Sequence, residues 1–112
     1  MEVSTYPSIK EHVSKRNTAL PTAGENLLSA DIVPIRSYPA LIVIFTPAVS
    51  DAVLTAVYSS GGVVTGTETL YGGTKHMSGC GTPTQIYPQL GETVNFTCSV
   101  TGGSYSLSVR EI

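Results

Sequence analysis

The clearest pattern of hydrophobic and polar positions lies in the last twenty residues of the chain. Residues 93–100 and 104–110 both place an apolar side chain at every second position. A strict period of two gives a strand one apolar and one polar face. The apolar rows are Val94, Phe96, Cys98 and Val100, then Tyr105, Leu107 and Val109. The glycines at 102 and 103 suit a tight turn, so we predict a β-hairpin here.

Shorter apolar runs, bounded by glycine, proline and serine, predict five further strands. They are residues 27–35, 40–46, 52–59, 63–71 and 85–87. About seven short strands at regular spacing are typical of an all-β sandwich. We therefore expect a single, jelly-roll-like β-sandwich over residues 25–112, preceded by an N-terminal arm over residues 1–24.

The arm shows no alternation and holds three of the six basic residues. A proline at position 7 could open a short helix, which would place Ile9 and Val13 on one face. Such a helix is too short to be stable alone in water. We expect Ile9, Val13 and Leu20 to dock the arm, either onto its own domain or onto a neighbouring subunit.

Residues 40–46 are apolar on both faces, which predicts a central strand that is covered on both sides. A sandwich of this size rarely covers both faces of one strand by itself. The pattern therefore favours self-association into a homo-oligomer such as a trimer, with Leu41, Val43 and Phe45 at the interface.

Composition narrows the class of protein. Only 12% of the residues are charged, about half the globular average, and a surface of hydroxyl groups is common in extracellular and assembly proteins. A net charge of −2 gives no electrostatic basis for nucleic-acid binding. No apolar run reaches the roughly 18 residues of a membrane span. The first twenty residues also lack the apolar stretch of a signal peptide, so we expect a cytoplasmic product or one released inside a virion.

The two cysteines leave two alternatives open. Cys98 falls on the apolar row of its strand, where a buried thiol behaves as a small hydrophobic residue. A disulfide between Cys80 and Cys98 would instead close a loop of about 18 residues and contribute about 3 kcal/mol to stability.

The sequence gives little support for a catalytic or metal-binding site. His12 and His76 are the only histidines, and neither is accompanied by the nucleophile and orienting group of a triad. Glu68, Glu92 and Glu111 are interpreted as solvated surface charges. The His76–Cys80 spacing matches no strong metal motif and lacks a fourth ligand. We expect no enzyme activity, no cofactor and no metal.

Two surface chemistries are permitted by the sequence. Asn95-Phe96-Thr97 is a glycosylation sequon on the polar row of its strand. Exposed aromatic rings could also stack on sugars, as in β-sandwich lectins. The available tyrosines are Tyr38, Tyr58, Tyr71, Tyr87 and Tyr105, with Tyr105 in phase with core residues.

Six short sequence segments follow one another along residues 20–112. They are Leu20-Pro21-Thr22-Ala23-Gly24, Asp31-Ile32-Val33-Pro34, Ser60-Gly61-Gly62, Leu70-Tyr71-Gly72-Gly73, Gly91-Glu92-Thr93-Val94-Asn95-Phe96 and Val109-Arg110-Glu111-Ile112. In this order of elements the segment resembles small β-sandwich structural proteins of tailed phages and of thermophile or archaeal viruses. Such proteins decorate or cement capsids, or form fibre and tail parts.

The resemblance implies a virion structural protein, most specifically a capsid decoration or cement subunit that contacts itself and a major capsid or other virion protein. The expected location is the virion, or otherwise the extracellular space. Two alternatives remain: an extracellular carbohydrate-binding or adhesion module, and a filament subunit that donates a strand to its neighbour.

Overall fold

The computed structural model describes residues 9–49, 51–72 and 81–112. Within these ranges the chain forms seven strands and no helix. The strands are β1 (Lys10–Ala19), β2 (Leu41–Pro47), β3 (Leu54–Ser60), β4 (Val63–Tyr71), β5 (Thr84–Ile86), β6 (Thr93–Cys98) and β7 (Ser104–Glu111). The expected all-β fold is confirmed.

The strands form two antiparallel sheets, one in the order β1-β7-β2-β5 and one in the order β4-β3-β6. Asn26 and Ile32 add isolated bridges to Thr97 and Val94 of β6, where an eighth strand would lie. The pairs are then nested: β1 with β7, the bridged segment with β6, β2 with β5, and β3 with β4. This nested pairing, folded into two layers, is the jelly-roll form of the β-sandwich, as expected.

The core lies between the two sheets and is filled by their inward rows. Phe45 of β2 sits at its centre, with ring centroids 5.9 Å from Tyr71 and 6.1 Å from Tyr105 in tilted geometry. Tilted aromatic pairs add to the stability gained from area burial alone. The Tyr71 hydroxyl donates to the carbonyl oxygens of Val43 (2.9 Å) and Thr82, so this buried phenol has one partner in the opposite sheet and one in the connection before β5.

The predicted hairpin between β6 and β7 is wrong, although both strands exist. β6 pairs with β3, whereas β7 lies between β1 and β2 in the other sheet. Their apolar rows therefore meet across the core and not side by side. Alternation reports only which face of a strand is buried, and both arrangements bury the same residues.

The predicted helix in the N-terminal arm is also wrong, because residues 10–19 form the edge strand β1. The strand pairs with β7, and its register shifts between Glu11 and Val13 and again between Lys15 and Thr18. Asn17, within the second shift, has a φ of 45°. These bulges break the period of two, which explains why the sequence showed no alternation here.

Residues 27–35 do not form the predicted first strand. Leu27 and Leu28 are both buried although they are adjacent, whereas Ala30 is exposed, so burial here does not follow a period of two. Within this region only Ile32 bridges to β6, and Asn26, just before it, makes the second isolated bridge. Pro34, which has no N–H to donate, fits the irregular path that follows.

The interface predicted on β2 needs a correction. Leu41, Val43 and Phe45 have no exposed surface and belong to the core of the chain itself. The outward-facing side chains of the same strand are Ile42 and Ile44, which are half-buried. The strand is central, as expected, but its predicted interface residues face inward.

A pair of valine substitutions tests the place of β1 in the domain. Val13 is buried on β1, whereas Val63 is 67% exposed on β4. Val13→Ala removes two buried methyl groups and should lower the free energy of unfolding by about 1–2 kcal/mol. Val63→Ala should change it by less than about 0.5 kcal/mol. Urea denaturation measures both, and equal stability of the two variants would mean that β1 is not part of the cooperative unit.

Candidate functional site

The large hydrophobic side chains that the described residues expose all lie at one end of the sandwich. We call this surface the apolar end. Its members are Ile9, Val33, Ile35, Tyr38, Val63, Val64, Tyr87, Leu90 and Ile112. Single exposed hydrophobic residues are ordinary, whereas a group gathered on one surface marks a binding region.

The strand register explains why these residues meet. Glu111 stands opposite both Lys10 and Leu41, and Leu41 stands opposite Ile86. The residues that directly precede or follow this row therefore leave the first sheet at the same end of its strands. In the second sheet, Val94 and Thr93 of β6 stand opposite the last residues of β3, just before the β3–β4 turn. Residues 87–92 connect β5 to β6, which places both rows at the same end.

The opposite end has a different character in the part of the chain that the structure describes. Its connections, residues 20–26, 48–49, 51–53 and 99–103, expose mainly small and polar residues such as Thr22, Ala23 and Gly102. Leu20 and Leu27 in this region are buried. Among the described residues, the large exposed apolar side chains therefore lie at one end of the sandwich, and mainly small and polar residues are exposed at the other.

The centre of the apolar end rests on a buried carboxylate. Glu111 is completely buried at the end of β7. Its Oε1 lies 2.8 Å from Nε2 of His12 on β1 and accepts the backbone N–H of Ile35 at 2.9 Å. Its Oε2 accepts the backbone N–H groups of Ile35 at 3.0 Å and of Arg36 at 2.8 Å. One side chain thus joins β7, β1 and the segment 33–40.

The ionised form of Glu111 is the form that fits this site. Burial by itself raises the pKa of Glu111, but hydrogen bonds from the Ile35 amide, His12 and the Arg36 amide outweigh it. The pKa therefore lies below its ordinary value of 4.5. A depressed carboxyl pKa stabilises the fold above the ordinary value, and this contribution is lost as the pH falls through the depressed value.

Two further carboxylates fix the neighbouring loops. Asp31 accepts hydrogen bonds from the Thr93 hydroxyl at 2.9 Å and from the Asn95 amide at 2.8 Å. Glu92 accepts the backbone N–H of Gln89 at 2.8 Å and the hydroxyl of Thr65 at 2.6 Å. The second contact links the β5–β6 connection to β4. The loops that carry the apolar side chains are therefore held by charge-assisted hydrogen bonds.

A cleft of about 460 Å³ opens within the apolar end. Two Tyr-Pro pairs, at positions 38–39 and 87–88, line it together with Gln89 and Leu90. The residues Tyr38 and Tyr87 are 84% and 65% exposed, and the Tyr87 hydroxyl donates to Oε1 of Gln85 at 2.6 Å. Apart from the phenols, the lining carries no ionisable group, so the cleft suits a neutral partner.

The structure separates the residues that the sequence proposed for docking. Val13 and Leu20 pack into the core of their own domain, while Ile9 is exposed at the apolar end. Cys98 is a buried free thiol, and Cys80, its partner in the alternative disulfide, lies outside the described residues. His76 lies outside them as well.

The tyrosines considered for sugar stacking also differ in position. Tyr71 and Tyr105 are buried in the core. Tyr58 is half-buried and donates to Oε1 of Glu68 at 2.7 Å; burial, with the neighbouring Glu68 carboxylate, raises the pKa of Tyr58. Only Tyr38 and Tyr87 present their rings together at one cleft.

The sequon residue Asn95 serves the fold. Its side chain is buried, and its amide nitrogen donates to the carbonyl of Leu28 and to Asp31. Its amide oxygen accepts the backbone N–H groups of Leu28 at 3.1 Å and Phe96 at 2.8 Å. The polar row that contains Asn95 is covered by residues 28–31, so the expected accessibility of the sequon is wrong.

Sequence reasoning missed the role of Glu111, which it assigned to the solvated surface. A signal was present in the pattern. Tyr105, Leu107 and Val109 define the inward row of β7, and Glu111 is the next member of that row. A charged residue in phase with a buried row needs partners, and here the partners come from distant segments.

No family model, curated protein or solved structure matches the chain. Among the described residues, histidine, cysteine and carboxylate side chains nowhere gather in a group of three or more that could hold a metal ion. The same residues contain no helix with the length and apolar character needed to cross a membrane.

Replacing Asn95 by aspartate tests the structural role of its amide. Asn95→Asp keeps the shape but sets a carboxylate oxygen against the Leu28 carbonyl and Asp31. We expect a loss of about 2–3 kcal/mol in the free energy of unfolding at pH 7. The matched control is Asn17→Asp on exposed β1, where aspartate tolerates the positive φ. Chemical denaturation compares them, and equal losses would contradict the assigned role.

Proposed function

We propose that this chain is a virion structural subunit, specifically a capsid decoration or cement protein, that acts through protein–protein contacts and not through catalysis. Its partners would be copies of itself and a major capsid protein or another virion protein. The observation that carries the proposal is the apolar end, where nine large hydrophobic side chains are exposed at one end of the sandwich. Apolar surface gathered in this way favours association.

The rigidity of the apolar end supports a docking role. Loops held by Glu111, Asp31 and Glu92 are ordered before any partner arrives. A surface that is already in its bound conformation loses little conformational entropy on association. The jelly-roll architecture adds a fold-level analogy, because capsid and lectin domains both use it.

Charged substitutions within the apolar end test the proposal. Leu90→Asp places a carboxylate on a residue that is 65% exposed, so the fold should keep its stability within about 0.5 kcal/mol. Binding to particles purified from the source culture should weaken at least tenfold, or about 1.4 kcal/mol. Co-sedimentation measures this binding, and light scattering over a concentration series measures self-association.

The control adds the same charge at the opposite end of the sandwich. Thr22→Asp should leave both co-sedimentation and native mass unchanged, because residue 22 is exposed far from the apolar side chains. Absence of the chain from purified particles, or equal binding by the two variants, would contradict the proposal.

A second candidate function is carbohydrate binding at the Tyr38–Tyr87 cleft. The faces of the two rings carry partial negative charge, which suits the polarised C–H groups of a sugar ring. The volume of the cleft falls within the usual range for small-molecule sites.

A glycan array separates the two functions. If the cleft binds sugar, the unmodified protein should show saturable binding that Tyr87→Ala reduces at least tenfold. Tyr58→Ala, which changes a half-buried tyrosine outside the cleft, should not reduce it. A structural subunit without lectin activity should give no saturable signal with any glycan.

A further inference from the structure

Glu111 is the point on which the position of the segment 33–40 depends. The carboxylate accepts hydrogen bonds from two backbone amides of this segment and contacts the imidazole of His12 on the edge strand. The Arg36 guanidinium is a further neighbour, and its Nη1 lies 4.0 Å from Oε2. Val33, Ile35 and Tyr38 of the apolar end all belong to this segment.

With Nε2 of His12 protonated, the site accepts only an ionised carboxylate. A carboxylate offers acceptors at both oxygens, whereas a protonated carboxyl group becomes a donor at one of them. The Ile35 amide donates to both oxygens and the Arg36 amide donates to Oε2, while Nε2 of His12, a donor when it carries a proton, lies 2.8 Å from Oε1. A proton on either oxygen would then face an N–H group and leave a buried donor without an acceptor, which is costly.

We propose that Glu111 is a latch that protonation opens, releasing residues 33–40 and dismantling the apolar end in acid. The proton comes from solvent and adds to one carboxylate oxygen. Among the described residues, the titratable and charged groups beside Glu111 are His12 on β1 and Arg36 in the released segment, together with Lys10, which stands opposite Glu111 in the β1–β7 register. The consequence for assembly rests on the proposed function, whereas the opening itself does not.

The direction of the pH dependence follows from the state of the carboxyl group. In the open state the pKa of Glu111 is higher than in the closed state, where hydrogen bonds from the Ile35 and Arg36 amides help to hold it below its ordinary value of 4.5. The open state therefore binds more protons between these two values. Opening becomes more favourable as the pH falls through this window, by up to tenfold per pH unit for one proton, and is independent of pH above it.

Amide hydrogen exchange of the full chain between pH 3 and pH 7 tests the latch. After correction for intrinsic exchange rates, protection of the Ile35 and Arg36 amides should fall by up to tenfold per pH unit below pH 4.5. Amides of the β3–β6 ladder should stay protected over the same range. Constant protection of Ile35 and Arg36, or their loss together with the β3–β6 ladder, would overturn the proposal.

Glu111→Gln and its control sharpen the test. Glutamine keeps the shape but turns an NH₂ group toward the converging donors, so protection of Ile35 and Arg36 at pH 7 should fall at least tenfold and no longer depend on pH. Glu11→Gln removes an exposed carboxylate, which lies 4.0 Å from Arg110, and should leave the profile unchanged. An unchanged profile in Glu111→Gln would also overturn the latch.

Co-sedimentation with particles over the same pH range distinguishes the latch from the proposed function. Binding that weakens together with the protection of Ile35 and Arg36 supports regulation of the apolar end by Glu111. Binding that persists after protection is lost would leave the latch intact and show that the apolar end is not the docking surface.

Discussion

Buried backbone groups need hydrogen-bond partners, and this requirement shapes the whole region between β1 and β2. A continuous strand would have met it with a ladder to β6. The chain instead makes two isolated bridges and a few single bonds there, such as Leu27 N to the Phe96 carbonyl at 2.8 Å. Side chains supply the rest. The amide of Asn95 pairs with both backbone groups of Leu28 in the manner of a neighbouring strand.

The same solution recurs where the segment crosses from one sheet to the other. Here the carboxylate of Glu111 takes the place of a backbone acceptor for two consecutive amides. Because Glu111 projects from the inward row of β7, it reaches the crossing segment from within the core. The irregular backbone can then leave the sheet without leaving buried donors unpaired. This freedom lets residues 33–40 carry apolar side chains outward.

The sequence predicts much of the regular structure and little of the irregular structure, for a physical reason. Strands β6 and β7 show their apolar rows directly, because every second side chain of each is apolar and points into the core. β1 hides its pattern because two bulges shift its phase. Residues 27–35 look like a strand because leucines and isoleucines are frequent, although Leu27 and Leu28 are held by Phe96 and Asn95 from far along the chain. Long-range partners of this kind leave no local pattern.

The candidate site was hidden for a related reason. Tyr38, Leu90 and Val64 are distant in sequence, and each alone is an ordinary exposed residue. Only the nested pairing brings their loops to one end. Bringing the loops to one end would still be insufficient for docking, since ordering one loop residue costs about 1–2 kcal/mol. A free segment of eight residues would lose more on docking than a few apolar contacts return.

The three carboxylates change that balance because they order the loops during folding. The free energy for holding residues 33–40 then comes from hydrogen bonds inside the domain, and apolar contacts with a partner can contribute to affinity in full. The arrangement of the apolar end therefore depends on pH, since a carboxylate holds its hydrogen-bond donors in this way only while it is ionised. Of the three carboxylates, Glu111 depends most on remaining ionised, although it is fully buried. It alone contacts two consecutive backbone amides and the edge strand at once.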